Sequence, residues 1–450
     1  MRRRGRNRRA LLALTAACLA CTFGVVAAST SAASARAMPA ASIAPLHAAL
    51  LSSEPAAGEE LVTAPSRIRL VFSEPIEASL ATITLAGERG DRVVLSANAD
   101  PRDVHAVIAP VPLLQAGGYT VRWHVVSADG HRVDGSLDFT VAPGTGAEGT
   151  IAGSGTQSPS RLAPAPPAPE ADSGFVAALG RRPAVPVLRS VAITALLALA
   201  GLTLLIATLP ISGPRPLRLA QILAVITTVL LVAYTVAWSS NSAGDGRGVI
   251  ESVSLTAATT PGALEVARIA LAFLALWSLA LARRPGLAAL FSGAAVLITG
   301  ASGHPAVTAP MITIPAKSIH LAAAAVWLGG LLWIVTAERH GARYVEGTRR
   351  ISSLAFISVI VVVLTGIVQS ALFLPRVSAL NGSTYGQIVL FKIAGLLVLV
   401  LFGAFHRRAI PRLDTTMARR RLRGSVRFEI LVMLAVGILG GLLAAIAPPR

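Results

Sequence analysis

Apolar positions recur along this chain with two different periods, and the change of period divides it. Arg67–Ser73 (RIRLVFS) and Gly118–Ser127 (GYTVRWHVVS) alternate apolar and polar residues, and shorter runs of the same kind lie near 80–86, 91–96, 104–109 and 133–141, separated by Gly, Pro and Asp. Short alternating runs broken by turn residues predict half-buried strands of an all-β sandwich. Beyond residue 186 the alternation gives way to eight long apolar runs, at 187–209, 217–238, 263–282, 287–303, 315–336, 351–374, 386–405 and 426–447. Each is about the length that crosses a hydrocarbon core of ~30 Å at about 1.5 Å per residue. The fourth is the shortest. The expected architecture is a β-sandwich at 47–141 followed by an all-α polytopic membrane domain of eight transmembrane helices at 186–448. Residues 142–185, with "GTGAEGTIAGSGTQSPSRLAPAPPAPEADSG", are too rich in Gly, Ser, Pro and Ala to bury a core and are expected to tether the two. The start, "MRRRGRNRRALLALTAACLACTFGVVAA", has the basic and then apolar order of an export signal over 1–37, with Ala35-Arg36-Ala37 the best cleavage site and position 46 the latest considered.

Composition and charge agree with that division. With 54% hydrophobic residues and a mean hydropathy of +0.67, the chain is too apolar for one soluble domain. The formal charge of +18 is not spread over a globule, since residues 47–141 hold twelve acidic and seven basic side chains, a net of −5. The arginines cluster between apolar runs: Arg215 and Arg218, Arg283 and Arg284, Arg339 to Arg350, and eight from Arg407 to Arg427. The alternate loops carry only Arg247 and Arg376, with Arg181, Arg182 and Arg189 a mild exception before the first span. This is a membrane-topology pattern and not a nucleic-acid footprint. It places the arginine-rich loops in the cytoplasm and both ends of the membrane domain outside, in a bacterial plasma membrane. Both cysteines, Cys18 and Cys21, lie inside the export signal, so disulfides and thiolate metal sites are not expected in the mature chain.

Candidate chemistry begins in "SADGHRVDGSLDFTV" (127–141). Asp-Gly between alternating runs is a strong hairpin-turn signal. Asp129 and His131 also share the parity of Val133, Leu137, Phe139 and Val141, so an early strand start would aim both side chains the same way, about 6.5–7 Å apart at Cα, where a carboxylate and an imidazole can reach one ion. The residues alone leave both readings open.

"HAALLSSEPAAGEELVTAPSRIRLVFSEPIE" (47–77) and "YTVRWHVVSADGHRVDGSLDFTV" (119–141) resemble the CopC family of periplasmic copper-binding proteins. "SIHLAAAAVWLGGL" (318–331), "STYGQIVLFK" (383–392) and "GSVRFEILVMLAVGILGGLLAAIAPP" (424–449) resemble CopD. The chain is thus similar to a CopC–CopD fusion of the YcnJ-like kind. The resemblance implies an Ig/cupredoxin-like Greek-key sandwich that binds Cu(II), with His47, Glu74, Asp129 and His131 at the ligand positions. Imidazole and carboxylate donors in a tetragonal field suit that ion. Residues 47–141 contain no Met, so the Met-rich Cu(I) site of some CopC members is not expected. The family uses the free amine of its N-terminal His, whereas cleavage after Ala37 would leave nine residues before His47. His105 and His124 are read as solvated strand residues.

In the membrane domain His320 is the candidate, because an ionisable residue inside a span is costly and marks a pathway or cavity. His304 and Met311 are its possible partners, a grouping that suits copper and, through Met, Cu(I). Residues 317, 320, 324, 327 and 331 should share one broad helix face, and Gly329-Gly330 should admit a close neighbour. Lys317 would repel a cation if it pointed the same way. His340 and His406 are assigned to the basic, lipid-facing ends, and Trp238, Trp327 and Trp333 to interface or packing. The leading reading is non-enzymatic copper import, with no Gly-x-x-x-x-Gly-Lys motif to drive it by hydrolysis. The alternatives are a membrane-anchored chaperone for secreted or respiratory cuproenzymes, and a membrane cupric reductase with His320 and His304 or His406 as axial haem ligands.

Overall fold

The computed structural model describes residues 48–88, 90–143, 184–209, 214–244, 247–303, 309–337, 342–374, 376, 378–409, 416–444 and 446. It divides into two compact units. One comprises the β domain and residues 240–256, and the other comprises the remaining helices.

Among the described residues the β domain has nine strands: β1 (Leu50–Glu54), β2 (Glu60–Leu61), β3 (Arg67–Phe72), β4 (Thr82–Gly87), β5 (Arg92–Leu95), β6 (Asn98–Asp100), β7 (Asp103–Pro110), β8 (Gly117–Val126) and β9 (Arg132–Val141). They form two sheets, ordered β1-β3-β7-β6 and β2-β9-β8-β4-β5. All pairings are antiparallel except β2 with β9. The six predicted runs all become strands, and β1, β2 and β6 are added. These three are short or weakly alternating, so no period announces them. Alternation selects the core: Ile68, Leu70 and Phe72 of β3, Ile83 and Leu85 of β4, Val121, Trp123 and Val125 of β8, and Leu137, Phe139 and Val141 of β9 are all buried together. Gly135 faces Trp123 in the β8–β9 register, and a Cβ there would run into the indole ring. The glycine is what lets that large ring lie flat on its neighbour strand.

Among the described residues the helical unit carries seven helices long and apolar enough to cross a membrane: α1 (Ala184–Thr208), α2 (Arg215–Ser242), α4 (Thr260–Ala280), α6 (Pro310–Thr336), α7 (Ala342–Phe373), α9 (Thr384–Ala409) and α10 (Thr416–Leu443). The chain is a multi-pass membrane protein. The fourth predicted span, 287–303, is the short α5 (Pro285–Thr299), whose 15 residues reach only about 22 Å. It ends where Gly300–Gly303 turn away, Gly303 with φ +76°. Two shorter helices, α3 (Val249–Ala257) and α8 (Ala379–Gly382), complete the order.

Helix α1 is the most buried of the seven long helices and packs against α5, α6 and α10. Its approach to α6 is set by glycine: a Cβ on Gly201 would strike the Ala325 carbonyl, and one on Gly329 would strike the backbone of Gly201. Of the small residues expected at 329–330, Gly329 meets a partner glycine on α1 and Gly330 meets Ile351 of α7, which is how helices gain contact in a lipid phase.

Candidate metal centre

The β8–β9 connection shows the turn that Asp129-Gly130 predicts. Val126 pairs with Arg132, and the Ser127 N–H donates to the His131 carbonyl at 2.9 Å, leaving a connection of Ala128, Asp129 and Gly130. The Gly130 N–H donates to the Ser127 carbonyl at 2.8 Å, and Gly130 takes φ +88°, the left-handed conformation that glycine adopts without steric cost. The segment is thus a turn. Strand β9 begins at Arg132, so strand parity is not what brings the two side chains together. Local bonds do that. Asp129 Oδ1 accepts the His131 N–H at 3.1 Å and the Ser127 hydroxyl, while Asp129 Oδ2 lies 2.7 Å from His131 Nδ1. The Asp129 side chain is fully enclosed, whereas that of His131 stays 19% exposed at the rim.

Glu74 reaches the same place from the end of β3. The segment after it is stitched to the turn, with the Ala128 N–H donating to the Pro75 carbonyl at 2.9 Å and Ile76 bridging Ser127. Glu74 is buried, its Oε2 without a hydrogen-bond partner. Burial, and then the charge of Asp129, push its carboxyl up to about 8, partly offset by the Ser127 hydroxyl. Two buried carboxylates and an imidazole where the chain after β3 meets the β8–β9 turn are a setting in which a cation is favoured. Among the described residues no three His, Cys, Asp or Glu side chains are grouped so as to hold a metal ion. His47 lies outside the described residues. The chain just after it is anchored beside Glu74, since the Ala49 N–H donates to Ser73 Oγ and the Ser73 N–H to the Ala49 carbonyl, both at 2.9 Å.

The other two histidines of the domain are held elsewhere. His105 Nδ1 is 3.1 Å from Asp103 Oδ1. His124, expected to be solvated, is buried: its Nε2 is 2.7 Å from the Ser242 carbonyl and its Nδ1 3.4 Å from Asp134. Burial alone would raise the Asp134 carboxyl, but bonds from His124 and Arg132 outweigh it and hold the group well below its ordinary range.

In the helical unit His320 is half-buried on α6, with Nδ1 2.9 Å from Thr365 Oγ1 on α7 and the Lys392 ammonium of α9 within electrostatic reach. Met311 is exposed on the first turn of α6, nine residues and about 13 Å along the axis from His320, so the two are not brought together. His304 and His340 lie outside the described residues. Lys317 does not face His320; its ammonium donates to the Ser302 carbonyl at 2.7 Å. The face 317–331 is broad enough to serve three neighbours, because Lys317 meets the chain after α5, His320 meets α7 and Trp327 meets α10.

Sequence reasoning missed a buried polar group at the other end of the unit. His406 is not lipid-facing but buried on α9, with Nδ1 2.9 Å from Glu429 Oε2 on α10 and Nε2 2.8 Å from Ser425 Oγ. The Trp327 indole N–H donates to Glu429 Oε1 at 3.2 Å. The available signal was the single carboxylate inside the apolar run "FEILVML", which alone marks a cost that something must offset. A second buried pair, Glu265 with Arg268 on α4, is an ion pair between fixed opposite charges.

Comparison with known proteins gives this geometry its relatives. Residues 50–142 match the CopC domain model and residues 346–443 the model of copper resistance protein D, CopD. The copper transport protein CutJ of Bacillus subtilis strain 168 is 24% identical over 425 residues, covering 87% of this chain and 73% of CutJ. Protein YobA of Escherichia coli strain K12 is 37% identical over 97 residues, 21% of this chain and 78% of YobA. Copper resistance protein C of Pseudomonas syringae pv. tomato is 36% identical over 108 residues, 22% of this chain and 83% of the relative. With a CopC domain in its strands and a match to CopD in its last helices, in that order on one polypeptide, the chain belongs to the CopC family and carries a CopD domain after it.

Proposed function

We propose that this protein imports copper: the β domain captures Cu(II) outside the membrane and the helical unit carries copper inward. The observation that carries the reading is the 2.7 Å separation of His131 Nδ1 and Asp129 Oδ2 beside the unpartnered Glu74 oxygen. Metal bonds of about 2.0 Å in a square arrangement put neighbouring donor atoms about 2.8 Å apart. The two atoms are therefore close enough to reach one ion, which would sit to one side of the line between them once Nδ1 has given up its proton and its lone pair turns from Oδ2. Glu74 supplies a third oxygen. His47, two residues before the anchored Ala49, supplies a fourth donor within a chain reach of about 7 Å. Imidazole and carboxylate donors without thiolate or thioether select Cu(II) over Cu(I).

The names of the CutJ and copper resistance relatives support copper as the cargo. The arginine-rich loops support an orientation with the β domain and C-terminus outside. The role proposed is binding and transfer rather than catalysis. The test is copper accumulation in cells with and without the protein at equal expression. Accumulation that rises with the protein supports import. Unchanged accumulation alongside intact Cu(II) binding would leave a membrane-anchored copper carrier in place of an importer.

A further inference from the structure

The core of the helical unit holds a buried histidine–carboxylate contact of its own. His406 Nδ1 and Glu429 Oε2 are 2.9 Å apart, again the spacing of adjacent ligands on one ion. Each partner is held from behind. Ser425 Oγ sits 2.8 Å from His406 Nε2 and turns the ring so that Nδ1 faces α10, and the Trp327 indole N–H on Glu429 Oε1 turns the other oxygen toward α9. Outer partners of this kind orient metal ligands and set the histidine tautomer. A serine hydroxyl tolerates both tautomers: it donates to Nε2 while Nδ1 carries the proton, and accepts from Nε2–H once Nδ1 binds an ion. Rings of Phe402 and Phe405 lie 6.1 Å from the imidazole, and Phe428 packs on Phe402 at 5.2 Å, so the pair sits in an apolar setting.

The contrast with the other buried pair is instructive. Glu265 is neutralised by the guanidinium of Arg268, which never gives up its charge, so it has no capacity for a cation. Glu429 is partnered by an imidazole, which can exchange a proton for a metal. On its own helix Arg427, two residues away, is exposed, and Arg423, six residues away, donates to the Ala337 carbonyl and lies over the Tyr344 ring. His320 lies two helical turns before Trp327 on the same face of α6, about 10 Å away along the axis, so one helix joins the region of His320 to this pair.

We propose that His406 and Glu429 form a second copper site, inside the helical unit and next to its arginine-rich end, taking Cu(II) through one imidazole nitrogen and one carboxylate oxygen. The inference rests on copper as the cargo and extends it to a station within the helices. The test uses the full chain in detergent micelles, titrated with Cu(II) and followed by electron paramagnetic resonance, in a background of Asp129→Ala with His131→Ala. That background should still bind copper with an imidazole-nitrogen signature, and adding Glu429→Gln or His406→Gln should remove it or weaken it at least tenfold. Both additions keep a hydrogen-bonding group in place, and either one suffices if the other does not fold. A merely structural clamp would lower the thermal midpoint without changing the copper bound. No copper in the background chain, or copper unaffected by both additions, overturns the inner site. No copper on the wild-type chain overturns the copper reading itself.

Discussion

Asp129 serves the fold and the site with the same carboxylate. Its Oδ1 closes the β8–β9 turn through Ser127 and the His131 N–H, while its Oδ2 holds the imidazole. The two substitutions should therefore differ in kind. In residues 47–143 with His47 first, His131→Ala should weaken Cu(II) at least tenfold, about 1.4 kcal/mol, with only a small fall in the melting midpoint, because the ring sits at the rim and its loss leaves Asp129 Oδ2 to water. Asp129→Ala should weaken binding as much and also lower the midpoint, since it unties the turn; paired Cu(II) titration and thermal melts read both. Asp100 offers a separate test of the fold. The Arg102 N–H, and then the Arg69 side chain at 2.8 Å, hold its carboxyl below the ordinary 3.8. A depressed folded value makes the contribution full above the unfolded value and lost as pH falls through the folded one. Urea unfolding of wild type and Asp100→Asn should differ at pH 6 and converge toward pH 2, and a gap that persists at pH 2 would exclude this linkage. That Asp129 and His131 meet was legible from their spacing. That Glu74 joins them depends on the Pro75 and Ile76 bonds to the turn, which pair residues far apart in sequence.

At the level of elements, period told strand from helix, but length followed other rules. Helices α7 and α10 begin nine and ten residues before the apolar runs at 351 and 426 that announce them. Arginine is a good helix former, so the backbone continues helical after the hydropathy falls. Hydropathy locates the lipid, and propensity locates the helix end. Two glycines set contacts between elements. Gly135→Leu should collide with Trp123 and cost the β domain most of its stability, read as a large fall in the melting midpoint. Gly329→Leu should force α6 from α1 and reduce the folded, detergent-stable fraction, measured by size-exclusion chromatography of the membrane-extracted chain. A wild-type profile for Gly329→Leu would mean the two helices do not cross at Gly201. Sequence alone marked Gly329-Gly330 as a point of close approach, but could not name Gly201 as the partner, because helix pairing is decided by shape and not by pattern.

For the whole molecule the prediction concerns transfer. His320→Ala should abolish copper-dependent uptake while leaving insertion and Cu(II) binding by the β domain intact; uptake by radiolabelled or mass-detected copper in cells decides it, and unchanged uptake at normal protein levels would place the route elsewhere. Sequence by itself determined the two-part architecture, the family, the arginine asymmetry and the nearness of Asp129 and His131 in one turn, though not what that nearness is for. Each of these depends on neighbours along the chain: a period of two or 3.6, a run long enough to span lipid, or residues two apart in a turn. Tertiary structure decided that Glu74 lies against that turn, that Lys317 faces Ser302 and not His320, and that His406 is buried against Glu429 rather than set among lipids. Those contacts link residues 15 to more than 50 positions apart. They depend on which helix faces and strand edges pack together, a property of three-dimensional shape that no local pattern of hydrophobic and polar residues encodes.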